Sequence, residues 1–384
     1  MLTRDTARAL DDADPLAQWR DEFVIADPTL AYLDGNSLGM MPRRTRARLL
    51  AVLDDQWATG LIRSWDHWVD LPQLVGDRLA PLIGAGPGEV SVHDSTTVNL
   101  YQLVDAACAL RPDRGVIAIS SAEFPTDRYV VDGIAHARGL HVRNGFDDLD
   151  DVAVTVRSVV DYRTATVTDV AGETARATAA GAIALWDLSH SAGVLPGDLR
   201  GAGVQLAVGC TYKYLNGGPG SPAFSFVAAE LQPRLPQPIW GWFAQAEQFE
   251  MGPTFTPQPD IRRLLLGTPS ILALAAADEG IAVTIEAGIE TIADKARAVT
   301  GFGLELCDQL GLVSSTPRDP LRRGGHVAVH HPNARALVTA LITRNVITDY
   351  REPDIVRIGC SPLTTRFTDV FDGLAHLAHL AALL

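Results

Sequence analysis

Lys213 is one of two lysines in the chain, against thirty arginines. It follows an apolar, β-like run ending at Thr211-Tyr212 and precedes Leu215-Asn-Gly-Gly-Pro-Gly220, a glycine-rich loop. Arginine replaces lysine on most solvated surfaces, but it cannot form a Schiff base, so a lone lysine in this setting suggests imine chemistry. Asp187 lies 26 residues upstream, at the end of another apolar run. An acid and a lysine so placed meet the two needs of pyridoxal phosphate, one at the pyridinium nitrogen and one at the aldehyde. Lys295 has no such setting. It falls in the amphipathic pattern Glu290–Val299 and is expected to be a surface charge.

Other segments offer partners for that pair. Asp94-Ser-Thr-Thr-Val-Asn99 opens a helical pattern, where hydroxyls and N–H groups could hold a phosphate, or where Ser95 or Thr96 could simply cap the helix. Phe124-Pro-Thr-Asp127 ends a strand and starts a helix, and Phe124 could stack on a heteroaromatic ring or serve as a core aromatic. His190, three residues past Asp187, reads as a cofactor contact or a capped turn, with no third group nearby for a metal. Arg357 sits in an apolar, strand-like run and needs an anion, either a substrate carboxylate or a structural acid.

The elements that position these residues alternate. Short β-branched runs at 115–120, 152–156, 183–187, 206–209 and 223–227 are separated by helical stretches such as 127–139 and 174–180, which predicts an α/β domain with a largely parallel sheet. Ligands of such sheets bind beyond the carboxyl ends of the strands, near which Asp187 and Lys213 fall. Residues 46–82 read as mainly helical, interrupted by Gly60 and Pro72, and Glu89–His93 as an apolar turn. The proline- and tryptophan-rich stretch 230–268 reads as irregular. One long helix is expected from Ser270 towards Gly301, then a strand at 325–331, a helix at 333–345 and a closing helix at 367–382.

At 384 residues with 47% hydrophobic and 20% charged content, the chain is large enough for one big domain and a smaller one. A net charge of −14 argues against nonspecific nucleic-acid binding. Four scattered cysteines, no signal-like start and no apolar stretch long enough to span a membrane predict a soluble cytoplasmic protein with no metal site and no membrane association.

In chain order these segments resemble the kynureninase family. The resemblance runs from about Tyr32 to Asp369, through Tyr32-Leu-Asp-Gly-Asn-Ser-Leu-Gly39, Phe124-Pro-Thr-Asp127, Asp187-Leu-Ser-His-Ser-Ala-Gly193 and Tyr212-Lys-Tyr-Leu-Asn-Gly-Gly-Pro-Gly220. It implies the aspartate-aminotransferase-like fold of type I pyridoxal-phosphate enzymes. An N-terminal segment (1–45) would pack with a small C-terminal α/β domain (286–384), beside a large cofactor domain (46–285). It further implies that Lys213 carries the cofactor and Asp187 pairs with its ring nitrogen. Phe124 would stack on the ring with Asp127 and His190 in support, and Thr96, Thr97, Ser158 and Tyr212 would complete the cofactor contacts. Tyr212 is also the candidate proton shuttle. Trp242 and Thr268 match positions donated by the second subunit of a homodimer. Arg357 matches the anchor of the substrate α-carboxylate, with Asn36 and Ser37 in the loop near it and Trp65 in the substrate pocket. The implied reaction is hydrolysis of L-kynurenine, and of 3-hydroxykynurenine to an extent the pattern leaves open, to the anthranilate and L-alanine. Two departures stand out: Thr364 where the family has tyrosine, and Ala165 where it has glycine. Rival readings are a cysteine desulfurase using Cys360, a class V aminotransferase, and a catalytically silent member.

Overall fold

The computed structural model describes residues 1–383. Strand β1 (Ala31–Tyr32) precedes β2 (Val90–His93), β3 (Val116–Ile119), β4 (His141–Asn144), β5 (Val152–Ser158), β6 (Ile183–Asp187), β7 (Leu206–Gly209) and β8 (Ala223–Val227). The last seven form one sheet in the order β2-β8-β7-β6-β5-β3-β4, in which only β8 runs against its neighbours. Side chains alternate across it. Ile117, Ile119, Val154, Val156 and Leu185 pack on the helices Thr96–Ala109 and Pro125–Arg138, while Val116, Ala118, Ala184 and Trp186 pack on the opposite layer, which includes Leu274 and Ile281 of the helix Ile271–Ala287. Both faces are buried, so these strands read as continuous apolar runs.

A second sheet follows from β9 (Val313–Ser314), β10 (His326–His330), β11 (Val346–Ile347), β12 (Asp349–Arg351) and β13 (Ile355–Gly359). Four of these are antiparallel in the order β12-β13-β10-β9, and β11 pairs instead with β1. The N-terminal segment therefore joins the C-terminal unit. Its first helix, Arg4–Asp12, carries Asp11 in its last turn, and that carboxylate accepts from the N–H groups of Phe367 and Thr368 at the start of the closing helix Phe367–Ala381.

Several expectations need correction. Glu89–His93 contains β2, a buried strand paired with β8, not a turn; its polar Ser91 and His93 hid it. Strand β4 escaped notice because it is a polar, largely exposed edge. Pro72 does not interrupt a helix but sits in the first turn of Leu71–Leu79, where its missing N–H costs nothing. The long helix from Ser270 is two, Ile271–Ala287 and Ile289–Leu310, parted by Gly288 at φ 84°. Ala165 occupies φ 64° in a buried turn, the left-handed region that glycine enters without strain.

Lys295 is not a surface charge. The N-terminal segment folds over its helix, and Nζ meets Asp14 Oδ2 at 2.5 Å with both side chains 5% exposed. Removing one partner strands a buried charge, so Lys295→Met is expected to destabilise the protein by about 3 kcal/mol. Urea unfolding measures it. Adding Asp14→Leu should recover much of the loss, and a single variant as stable as wild type would refute the argument.

Candidate active site

The carboxyl ends of β3, β5, β6 and β7 open into one cavity. Thr96, Thr97, Phe124, Asp127, Ser158, Asp187, His190, Tyr212 and Lys213 line it, so the structure brings these residues together. Thr126, Tyr162 and Ser189 also line it. The β5–β6 register sets Ser158 beside Asp187. Asp187 is buried, and its Oδ1 accepts from Ser189 N at 2.8 Å. Thr96 and Thr97 begin a 14-residue helix whose N-cap is Ser95, accepting from Val98 N. The cap is thus Ser95, and the Thr96 and Thr97 side chains are not needed for that role.

Lys213 Nζ lies 3.1 Å from His190 Nε2, and 6.0 Å and 5.8 Å from the ring centres of Phe124 and Tyr212. Burial, then the Lys213 charge, holds His190 well below the ordinary imidazole value. The ring is neutral and can accept from the ammonium. Its buried Nδ1 has no hydrogen-bond partner among the described residues. Phe124 and Tyr162 pack with rings perpendicular at 5.2 Å, and 37% of Phe124 remains exposed. Gly39 allows the N-terminal loop to cross the lysine turn. Its N–H donates to Tyr212 O at 2.8 Å, and a Cβ there would fall 2.3 Å from Lys213 O.

Carboxyls crowd the far wall. Asp127 is buried with Oδ2 unpartnered, and burial, then Asp187 and Glu123, raise it well above the carboxylate range. Burial also pushes Glu123, an acceptor for Ser158 N at 3.1 Å, up to about 7. Sequence reasoning missed Glu123, although an acid next to Phe124 at the end of β3 was a visible signal. A raised folded pKa means its stabilising contribution is full below about 4.5 and lost as pH rises through about 7. Cofactor-free wild type should lose roughly 3 kcal/mol more stability than Glu123→Gln between pH 4.5 and 7.5. Equal slopes in denaturant titrations would refute this.

Arg357, fully buried on β13, bonds Asp349 through Nε and Nη2, Ser37 Oγ at 3.0 Å and Tyr162 O at 2.7 Å. Asn36, with its amide oxygen turned toward the guanidinium, accepts from Nε and Nη2 at 3.3 Å. A structural acid is therefore present, and Tyr162 links this cluster to the lysine cavity. Trp65, Trp242 and Thr268 are elsewhere within the chain. Trp65 packs with Trp68, Trp242 and Phe243, and Thr268 lines a separate cavity of about 410 Å³ with Ser95.

The donor set fits pyridoxal phosphate: an amine that has no carboxylate partner among the described residues, buried acids for a ring nitrogen, an aromatic ring and a helix start for phosphate.

Residues 292–377 match the family model described as the kynureninase C-terminal domain. The kynureninase of Pseudomonas fluorescens is 42% identical, with 99% of this chain and 96% of that protein covered. That of Burkholderia pseudomallei strain K96243 is 43% identical over 98% and 95%. Among solved structures, a cysteine desulfurase from Thermococcus onnurineus NA1 superposes with TM-score 0.84 at 16% identity, covering 96% of this chain and 98% of that one. The cysteine desulfurase CsdA of Escherichia coli gives 0.80 at 16%, covering 96% and 99%. The desulfurases share the type I fold. With identity above 40% along nearly its whole length, the chain belongs to the kynureninase family.

Proposed function

We propose that the protein is a pyridoxal-phosphate-dependent hydrolase that cleaves the Cβ–Cγ bond of L-kynurenine to anthranilate and L-alanine. The observation that carries this reading is the single cavity gathering Lys213, Asp187, Phe124 and the Thr96–Thr97 helix start in a chain of this family.

Bound there, pyridoxal phosphate supplies an aldehyde that condenses with amines and a ring that withdraws electrons from the adjoining carbon. Lys213 would hold it, and its amine would be the base for the substrate α-proton. Asp187, fixed by Ser189 N, would face the ring nitrogen and favour a proton there. Burial raises the Tyr212 phenol above its ordinary value. It therefore carries its proton at neutral pH and is the donor available to quench charge at Cβ. Arg357 takes the α-carboxylate, with Asn36 and Ser37 beside it.

A homodimer with shared sites goes with this reading. Trp57, Ile62, Trp240, Phe249 and Met251 are exposed, and Trp242 and Thr268 lie outside the cavity of their own chain, as donors to a partner's site would. A desulfurase would need an accessible thiolate. All four cysteines are buried, and burial pushes Cys360 up to about 12. Incubating cofactor-loaded protein with L-kynurenine tests the proposal: anthranilate fluorescence with equimolar alanine is expected, and its absence would overturn the assignment.

A further inference from the structure

The geometry points to Asp349 as the positioning residue of the substrate-carboxylate anchor: it grips one edge of the Arg357 guanidinium and leaves the other edge to uncharged, displaceable acceptors. The inference rests on the reading of Arg357 given above.

A guanidinium offers two edges for planar acceptors, Nε with Nη2 and Nη1 with Nη2. Asp349 faces Arg357 directly across the β12–β13 pair. It fills the first edge, with Nε donating to Oδ1 at 2.7 Å and Nη2 donating to Oδ2. Asp349 is itself held from two sides. Its Oδ2 accepts from Ser37 Oγ at 2.9 Å and meets Arg351 Nη2 at 2.7 Å. Burial alone would raise this carboxyl, but the Arg357 hydrogen bond and the Arg357 and Arg351 charges more than offset it and hold it below its ordinary value.

The second edge differs in kind. Nη1 donates to Tyr162 O at 2.7 Å and Nη2 to Ser37 Oγ at 3.0 Å, both uncharged acceptors. Tyr162 also lines the Lys213 cavity, so this edge bonds a residue of that cavity's wall, whereas the first edge bonds β12. A carboxylate outcompetes a carbonyl and a hydroxyl for a guanidinium edge. Because the two edges are distinct, Asp349 does not compete with the substrate. It fixes the plane of a long side chain that would otherwise choose among rotamers.

The test uses the full-length, cofactor-loaded protein. Asp349→Asn should raise the KM for L-kynurenine about tenfold or more, with kcat changed by less than about threefold. A readout independent of turnover is the change in cofactor absorbance on titration with L-alanine and with L-alaninamide, which lacks the carboxylate. The preference for L-alanine should fall in Asp349→Asn by the factor seen in KM. A lower KM, or a fall in kcat with KM and preference unchanged, would overturn the proposal. If Asp349→Asn does not fold, Arg351→Gln decides, since Arg351 Nη2 holds Asp349 without bonding the substrate edge of Arg357: a KM about threefold higher supports the role, and an unchanged KM refutes it. Arg357→Lys separates the two levels. Loss of preference there but not in Asp349→Asn sinks Asp349 alone; full preference in Arg357→Lys sinks the anchor and this inference together.

Discussion

Lys213→Arg is expected to fold, keep its charge and lose turnover by about 10³-fold or more. Guanidinium stays protonated at any working pH and cannot condense with an aldehyde. It would still reach the neutral His190 ring that now lies 3.1 Å from Nζ, so the surroundings have no reason to collapse. The variant thus removes chemistry while sparing structure. Two measurements check it, kcat with L-kynurenine and borohydride trapping of cofactor on the chain. Turnover by this variant, or trapping at Lys295, would refute the assignment.

Asp187→Asn should cost about 10² to 10³ in kcat, with a smaller effect from Asp127→Asn. The two acids share a wall. Asp127 is raised well above the carboxylate range by burial and its acidic neighbours. Asp187 has one oxygen fixed by Ser189 N and stands at the end of β6 beside Ser158. An amide there keeps that bond but cannot balance a protonated ring nitrogen. The absorbance of bound cofactor against pH is the second readout, and it should shift in Asp187→Asn. A larger loss in Asp127→Asn would exchange the roles.

Much of this site was legible because it is local in sequence. The central strands announce themselves as short apolar runs bounded by turns, and the residues after them fall at strand ends, where α/β sheets place ligands. Phe124, Asp187 and Lys213 all follow that rule. Residues that act through distant pairing were harder to read. Nothing near Lys295 signals Asp14, because the N-terminal segment must fold back to bring them together. Tyr162 enters the cavity from an irregular turn with no periodicity, and Asp349 gains its meaning only from register with Arg357. The hidden strands β2 and β4 failed for opposite reasons, one polar though buried, the other polar because exposed.

The pairing of β1 with β11 also sets a timetable for synthesis. Tyr32 lies opposite Ile347, and Leu33 O accepts from Gly359 N at 2.7 Å, across more than 300 residues. At ribosomal rates of about 5–20 residues per second, those partners emerge roughly 15–60 s apart. Through that interval the sheet bearing Lys213 can form on the nascent chain, while residues 31–33 wait for their partners. The wall holding Asn36, Ser37 and Arg357 therefore closes last, so a ribosome-bound chain stalled before residue 346 should be able to take up cofactor before it can grip a substrate.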